Sequence, residues 1–440
     1  MIVMKFGGSS LANAAQLTKV YEIVQANAHR KPVVVCSAHK GVTDLLIKSA
    51  RAALAGEPDA TPVIDRQREV LRGIGADDFM LDAFFKELDD LLRGISLVQE
   101  ASPRVMDFVQ SFGERMSVRA VAYHFTRKGL KSEAYDAFDL GFITDDNFGA
   151  ARPVEDSEKR MRDAFAARVP DDVVPIVTGF VGKTVDGVIT TVGRNGSDFT
   201  ASVFAAGLGA EECQIWTDTD GVMTADPSIV DKAQSIPHMS FAEASELAYY
   251  GGRVLHPATL LPAVKKNVPV RVLNTNRPEH PGTVITGEGG QALNSITSIA
   301  YKERQTVITI ESARMLMQHG FLLKVFEALA EEKISVDMIS TSEITVSMTT
   351  AAENVASIVE KLSDYGRVSV AHEKSLVCIV GRELRGQIGL AARVFGALAE
   401  ANVNVQMISH GANNINLSFV VDDAKIDTVV HALHQRLFDA

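Results

Sequence analysis

The sequence predicts an α/β sandwich followed by two copies of a small α+β domain, and three observations support this prediction. Short Val- and Ile-rich runs alternate with helical periodicity from residue 1 to about residue 285, as in sheets covered by helices. A pattern at residues 324–340 recurs 69 residues later. The chain has 440 residues and is 46% hydrophobic, so it is globular and too long for a single core.

The first strand leads directly into a glycine-rich turn. Residues 1–4 are apolar, and Lys5, Gly7, Gly8 and Ser9 follow before a helical pattern that extends from residue 11 to residue 26. Glycines between a strand and a helix bring the backbone close to a phosphate at the helix N-terminus. Because the lysine precedes the glycines, the segment is not a Walker A loop. Taken alone, the Gly-Gly pair favours the simpler interpretation, a tight strand-to-helix turn with a surface lysine.

Two further segments have the same arrangement. Residues 33–43 contain a strand, a loop with Ser37 and a helix start with Thr43. Residues 191–201 contain Arg194, Ser197 and Asp198, and either Ser197 or Asp198 is expected to cap a helix that runs to residue 206. The runs at residues 32–36, 173–181 and 214–217 are continuously apolar, which is typical of buried parallel strands.

One carboxylate lies between these segments. Residues 111–117 are helical and present Glu114 beside a glycine. Taken singly, Glu114 is typical of a solvated helix charge, Arg194 of a surface residue and Asp198 of a helix cap. Together with Lys5 they offer a planar cation for a carboxylate, acceptors for an ammonium group and a cation for a phosphoryl group.

Two other features complete the N-terminal region. An Asp186-Gly187 pair between the strand-like runs of residues 181–191 predicts a hairpin with a type I′ turn. Residues 52–110 are helical and amphipathic, which predicts an insertion that covers one edge of the sheet.

An acidic segment follows the strand at residues 214–217. It contains Thr217, Asp218 and Asp220, with Met223 and Ser228 further along the chain. A calcium loop is excluded, because valine stands at its fifth position, glycine arrives early and no glutamate closes it.

The C-terminal region contains the internal repeat. Residues 324–340 and 393–409 are identical at ten of seventeen positions, which is too many for chance helical bias. Each copy is a helix, a turn and a strand, followed by a second strand at residues 343–349 or 415–421. This order predicts a compact α+β domain, and the glycines of residues 287–290 predict a linker before it.

Composition limits the classes of partner. The net charge is −11, with 55 acidic and 44 basic residues and no basic block, which argues against nucleic acid. Cys36, Cys213 and Cys378 lie far apart, which predicts buried thiols in a reducing cytosol and no metal site of the His/Cys type. No apolar run reaches the length of a membrane span, and no signal-peptide pattern precedes Lys5. We therefore expect a cytoplasmic protein that acts on small molecules.

The strand-to-loop segments, the Glu114 helix and the acidic segment, in this order, resemble the aspartate kinase family of the amino-acid kinase superfamily. The resemblance spans the whole chain, because the repeats resemble the paired ACT domains of that family. It implies an amino-acid-kinase-type three-layer α/β sandwich at residues 1–285, a linker and a first ferredoxin-like ACT domain at 286–372, and a second at 373–440. It also implies ATP-dependent phosphorylation of the side-chain carboxylate of L-aspartate to 4-phospho-L-aspartate, the first step of aspartate-family amino-acid biosynthesis.

The resemblance also implies roles for single residues. Lys5 and Asp198 are the implied catalytic residues, with Lys5 against the transferring phosphoryl group. Arg194 would hold the α-carboxylate, and Glu114 with Asp198 would face the α-ammonium group. The side-chain carboxylate would be positioned by Ser37, Thr43 and Ser197.

The implied cofactors are ATP and Mg²⁺. Mg²⁺ is expected mainly on nucleotide phosphates and waters, with few protein ligands. The chain departs from the family pattern at Met223, Ser228 and Arg253, which bears on nucleotide affinity. The nucleotide-binding residues implied by the resemblance are Lys5, Gly7, Gly8, Ser9, Thr217, Asp218, Asp220, Met223, Ser228 and Arg253.

The ACT-like repeats imply an amino-acid effector and a homodimer, and they leave open whether dimers pair into a tetramer. Residues 317–319 differ from the lysine-sensitive pattern, so the identity of the effector stays open, and the repeats could instead serve only to build the dimer. Residues 414–416 form the matching part of the second repeat. The implied effector residues are Met315, Gly320, Phe321, Leu322, Val336, Asp337 and Ser342.

Two alternatives remain at this stage. One is a related amino-acid kinase that acts on another carboxylate, although Arg194 and Glu114 favour an α-amino acid. The other is a non-catalytic amino-acid sensor built on the repeats, which the presence of Lys5 disfavours.

Overall fold

The computed structural model describes residues 1–251, 257–288, 296–315, 319–352, 354–410 and 415–439. The chain divides into two compact units whose segments interleave along the sequence, and the domain boundaries at residues 285 and 372 stay predictions. The first unit consists of Met1–Val222, Pro237–Phe241 and Val254–Gly290, and the second of Met223–Ile236, Ala242–Arg253 and Gln291–Ala440.

The first unit is built on an eight-stranded sheet. Its strands are β1 (Ile2–Phe6), β2 (Pro32–Cys36), β3 (Ser132–Tyr135), β4 (Val174–Thr178), β7 (Glu212–Thr217), β8 (His238–Ser240), β9 (Val270–Asn274) and β10 (Thr283–Thr286). Their order is β3-β4-β2-β1-β7-β9-β10-β8, and every neighbouring pair is parallel except β9 with β10. The carboxyl ends of the parallel strands therefore meet at one edge, where ligands bind in such sheets.

Helices cover both faces of this sheet. They are α1 (Ala14–Ala26), α2 (Val42–Leu54), α3 (Thr61–Gly73), α4 (Asp82–Val98), α5 (Pro103–Arg127), α6 (Ser157–Arg168), α7 (Gly196–Leu208) and α9 (Pro257–Lys265). Helices α1–α5 share one apolar core with β1 and β2, and α5 packs against β2, β3 and β4. Helix α7 packs against β1, β2 and β7 and is flanked by α6 and α9. The predicted three-layer α/β sandwich is confirmed.

The predicted hairpin is present, but its turn is not type I′. Strands β5 (Val181–Lys183) and β6 (Ile189–Thr191) pair in antiparallel register. The Gly187 N–H donates to the Thr184 carbonyl at 3.0 Å, and of the Asp186-Gly187 pair only Gly187 has a positive φ, +85°. A type I′ turn needs positive φ at both central residues, so this is a longer loop that closes with glycine in the left-handed region.

Two predicted helix starts are wrong. Helix α1 begins at Ala14 instead of residue 11, because the Asn13 side chain accepts the Gln16 N–H at 3.1 Å and caps the helix there. Helix α7 begins at Gly196, so Ser197 and Asp198 lie inside its first turn and neither is its N-cap. Polar residues at a helix start are favoured both as caps and within the first turn, and the sequence pattern does not separate the two cases.

The second unit contains a six-stranded antiparallel sheet. Its strands are β11 (Ile296–Glu311), β12 (Met338–Thr341), β13 (Thr345–Thr350), β14 (Arg367–Gly381), β15 (Met407–His410) and β16 (Asn416–Asp422), in the order β12-β13-β11-β14-β16-β15. Its helices are α8 (Phe241–Tyr249), which starts in the first unit, α10 (Phe321–Glu331), α11 (Ala356–Ser363), α12 (Leu390–Glu400) and α13 (Ile426–Phe438).

The long strands β11 and β14 are shared between the two repeats. Residues 306–311 of β11 pair with β13 in the first repeat, whereas residues 296–302 pair only with the part of β14 that belongs to the second. Each repeat therefore has the β-α-β-β-α-β elements of a ferredoxin-like domain, and the second takes its last strand from a segment that precedes the first. The predicted pair of ferredoxin-like domains is confirmed. Among the described residues, no helix is long and apolar enough to cross a membrane.

Candidate active site

A cavity of about 700 Å³ lies at the carboxyl ends of β1 and β2, beside the start of α7. Because β1 and β2 are neighbours, the turns that follow Phe6 and Cys36 leave the sheet side by side, and the Ser37 N–H donates to the Phe6 carbonyl at 3.1 Å. The predicted site residues that line this cavity are Lys5, Gly7, Gly8, Ser9, Ser37, Thr43, Glu114, Arg194, Ser197 and Asp198.

Lys5 and Asp198 form an ion pair in the cavity wall. Lys5 Nζ lies 2.5 Å from Asp198 Oδ1, and the two side chains are only 12% and 8% exposed. Strand β1 supplies the lysine and the first turn of α7 supplies the carboxylate. Gly8 lets the two turns approach, since a Cβ there would lie 3.0 Å from the Ala38 carbonyl oxygen. The ammonium group of Lys5 is therefore fixed, largely desolvated and close to the Gly7-Gly8 turn.

Glu114 is a buried acceptor on helix α5. Its side chain is 4% exposed in the folded chain, and Oε1 accepts the Ala38 N–H at 3.1 Å. Oε2 is buried without a hydrogen-bond partner among the described residues. Burial raises the pKa of Glu114 to about 8, although the bond from Ala38 opposes the shift. The carboxyl group is suited to a ligand that brings its own positive charge.

Arg194 differs from the other charged residues of the cavity. It follows β6, is exposed, and forms no ion pair with any residue that the structure describes. Ser197 is buried and packs against Gly179, where a Cβ would lie 2.5 Å from the serine Oγ. An exposed guanidinium at the mouth of a cavity is available for a carboxylate or a phosphate.

The cavity also contains residues that were not predicted as site residues, including His39, Lys40 and Phe180. His39 is 1% exposed, burial lowers its pKa to about 4, and its Nδ1 lies 2.9 Å from the Leu11 carbonyl oxygen. A neutral His39 therefore donates from Nδ1 to Leu11 and ties the two turns together. Phe180 has a φ of +63°, which no sequence pattern indicates.

Known proteins resemble this chain over its full length. Residues 1–274 match the amino acid kinase family, and residues 308–364 and 377–437 match an ACT domain. The chain is 37% identical to aspartokinase 1, chloroplastic, of Arabidopsis thaliana, across all of this chain and 80% of the relative. It is 34% identical to lysine-sensitive aspartokinase 3 of Escherichia coli K12, across 100% of this chain and 99% of the relative.

The chain belongs to the aspartokinase family. Among solved structures, that of E. coli aspartokinase III in complex with aspartate and ADP matches it with a TM-score of 0.82 and 32% sequence identity, covering 100% of both chains. The match to the amino acid kinase family covers residues 1–274 and so includes every residue that lines the cavity.

The remaining nucleotide-site predictions for this aspartokinase-family chain divide between the units. Thr217 ends β7, and Asp218 and Asp220 follow it in the first unit. Asp220 accepts from Asn274 Nδ2 at 2.7 Å and also pairs with Arg277. In the second unit, Met223 is half-buried and Ser228 is exposed. Arg253 lies outside the described residues.

The predicted effector residues all lie in the first repeat, around the start of α10 and both ends of β12. Asp337 accepts from Tyr249 Oη at 2.6 Å and from Lys302 Nζ at 2.9 Å. Phe321 is buried in the apolar core of this repeat, so its main contacts are with other apolar side chains of the core. The seven predicted effector residues are Met315, Gly320, Phe321, Leu322, Val336, Asp337 and Ser342. Asn414 lies outside the described residues.

Proposed function

We propose that this chain is an aspartate kinase that transfers the γ-phosphoryl group of ATP to the side-chain carboxylate of L-aspartate, giving 4-phospho-L-aspartate and ADP. The carrying observation is the convergence of Lys5, Glu114, Arg194 and Asp198 on one cavity. The relationship to aspartokinases over the whole chain supports the same substrate. This reaction is the first step of aspartate-family amino-acid biosynthesis.

The chemistry fits the groups that line the cavity. A side-chain carboxylate oxygen of aspartate attacks the γ-phosphorus, the bond to the β,γ-bridging oxygen breaks, and its electron pair leaves with ADP. The nucleophile is already ionised at neutral pH, so no general base is required and catalysis consists of positioning and charge stabilisation. Lys5, held by Asp198, stabilises the charge on the transferring phosphoryl oxygens.

The substrate's other groups have matching partners. Arg194 binds the α-carboxylate as a planar, bidentate cation, and buried Glu114 accepts the α-ammonium group on the side shared with Asp198. The side-chain carboxylate is oriented by the hydroxyl groups of Ser37, Thr43 and Ser197. Gly7, Gly8 and Ser9 offer backbone amides to the phosphates.

Nucleotide binding extends to Thr217, Asp218, Asp220, Met223, Ser228 and Arg253 in this proposal. No group of three or more His, Cys, Asp or Glu side chains in the described part of the chain has the geometry to hold a metal ion. In this proposal Mg²⁺ would be held mainly by the nucleotide phosphates and waters, with few protein ligands, and would neutralise phosphate charge.

We also propose an amino-acid effector site at the first repeat and a homodimer formed through the repeats, which could associate further into a tetramer. Leu323 and Phe326 of α10 are 61% and 42% exposed, which supports association through an apolar surface. Light scattering on the wild type and on Phe326→Glu tests the dimer, and titration of single amino acids against aspartate turnover tests the effector. Fractionation of cells tests the proposed cytoplasmic location.

A single assay tests the reaction. Hydroxylamine traps the acyl phosphate formed from ATP and each of a panel of amino acids, and aspartate is expected to give the product. Lys5→Ala is expected to lower kcat by about 10²–10³-fold, as the loss of a charge-stabilising donor does elsewhere. Lys48→Ala, an exposed lysine on α2, is the matched control and should keep wild-type turnover. Product from glutamate but not aspartate would overturn the substrate, and full activity of Lys5→Ala would overturn the site.

A further inference from the structure

We propose that Asp107 is a positioning residue for the substrate's α-carboxylate, because it anchors the loop that carries Arg194 to the helix that carries Glu114. Asp107 does not line the cavity, and no pattern in the sequence singles it out. The inference rests on the proposed function, in which Arg194 binds that carboxylate.

The buried carboxylate of Asp107 accepts three hydrogen bonds. It lies in the first turns of α5 and is 1% exposed. Its Oδ2 accepts the backbone N–H of Gly149 at 2.9 Å and that of Thr191 at 2.8 Å, and its Oδ1 accepts the Thr191 hydroxyl at 2.7 Å. Hydrogen bonds to a charged group are among the stronger ones, and a buried carboxylate that lost them would be costly.

Two of the three donors belong to Thr191, on the segment that leads to Arg194, and the third belongs to Gly149 on an adjoining segment. Thr191 ends β6 and stands three positions before Arg194, and both Thr191 and Gly149 line the cavity. Gly193 packs closely on the other segment, since a Cβ there would lie 3.0 Å from the Gly149 carbonyl oxygen. The Ala151 N–H also donates to the Thr191 carbonyl at 3.0 Å. The three hydrogen bonds of Asp107 therefore form a clamp that holds the Gly149 and Thr191 segments together just before Arg194.

Helix α5 links this clamp to the ammonium acceptor. Asp107 and Glu114 are seven residues apart, which is about two helical turns or roughly 10 Å along one face. One rigid helix thus sets the distance between the acceptor for the α-ammonium group and the anchor of the cation for the α-carboxylate. Lys5 lies on a separate strand, so the clamp acts on aspartate binding more than on phosphoryl transfer.

The test is a double-mutant cycle in the full-length protein, with separate KM values for aspartate and ATP. Asp107→Asn preserves shape but removes the charge, and we expect it to raise the KM for aspartate about tenfold while the KM for ATP changes less than about twofold. In an Arg194→Ala background, the same change should alter the aspartate KM less than about twofold, because the residue acts through Arg194. Asp90→Asn, an exposed acid on α4, is the control.

Equal rises in both KM values, or additive effects in the Arg194→Ala background, would show a general structural role and overturn the proposal. If Asp107→Asn does not fold, Thr191→Val takes its place in the cycle, because it removes only the hydroxyl donor to Asp107. The same two outcomes then decide the proposal. A wild-type protein without aspartate turnover would refute the proposed function instead, whereas normal turnover with a silent Asp107→Asn refutes only this inference.

Discussion

Raising the pH should strengthen aspartate binding through Glu114. Burial raises the pKa of this carboxyl to about 8, and Oε2 has no partner among the described residues. In the empty site at neutral pH the group is therefore mostly protonated, although the α-ammonium group requires the carboxylate. Binding must then expel a proton, and the cost of that step falls as the pH rises toward the pKa of Glu114.

The size of the effect follows from the pKa. At pH 7, one unit below that value, ionising Glu114 costs about 1.4 kcal/mol. The apparent KM for aspartate scales with the inverse of the ionised fraction, so it should fall about eightfold between pH 7 and pH 8.5 and level off above that. His39, with a pKa of about 4, does not titrate in this range. Turnover at saturating aspartate should change little, because the bound substrate keeps Glu114 ionised.

Initial rates at varied aspartate and saturating ATP, collected from pH 6.5 to 8.5, measure this profile. Glu114→Gln cannot ionise, so its KM should be high and independent of pH. A wild-type KM that stays constant over the range, or a Glu114→Gln profile parallel to the wild type, would refute the reasoning.

Two further predictions concern packing and regulation. Gly113→Ala would place a Cβ 2.8 Å from Ala38 Cβ, so overpacking of about 1–3 kcal/mol should outweigh the better helix propensity and lower both the melting temperature and aspartate affinity. Gly94→Ala, where nothing lies within 4 Å, should instead leave activity intact and stabilise the fold, and equal melting curves for the two variants would contradict the packing argument. Tyr249→Phe removes a hydrogen bond to Asp337 worth about 1 kcal/mol. An effector that binds Asp337 then no longer competes with this bond, so its inhibition constant, found by titration, should fall about fivefold. An unchanged or higher constant would exclude competition at Asp337.

Much of the site was predictable because its residues follow strand ends. Lys5 and Ser37 come directly after apolar runs, and parallel strands bring their carboxyl ends to one edge. The alternation of apolar runs with helical periodicity predicted the α/β sandwich, the family resemblance implied its three-layer form, and the identity between residues 324–340 and 393–409 predicted the repeats. Asp107 escaped detection because its role depends on Thr191, which is far away in sequence and adjacent only after folding.

Local starts and turns were less predictable, for a physical reason. Asn13 and Asn195 each precede a helix, but only Asn13 makes a side-chain cap bond. The turn at Gly187 depends on whether its neighbour also adopts a positive φ, which residue type alone leaves open. The role of His39 as a link between the two turns is visible only from its hydrogen bond to the Leu11 carbonyl, which the sequence does not show.

The strand shared between the repeats bears on how the C-terminal unit is made. Residues 296–302 leave the ribosome before either repeat is complete, yet their partners lie at residues 376–381 of β14, about eighty residues later. The second repeat also needs β16 and α13, so its core closes only after α13 has been synthesised. Such long-range pairing slows folding. A cut between the repeats would leave two fragments still paired along β11 and β14, and a gene truncated after the first repeat would encode residues 296–302 without the β14 residues that they pair with.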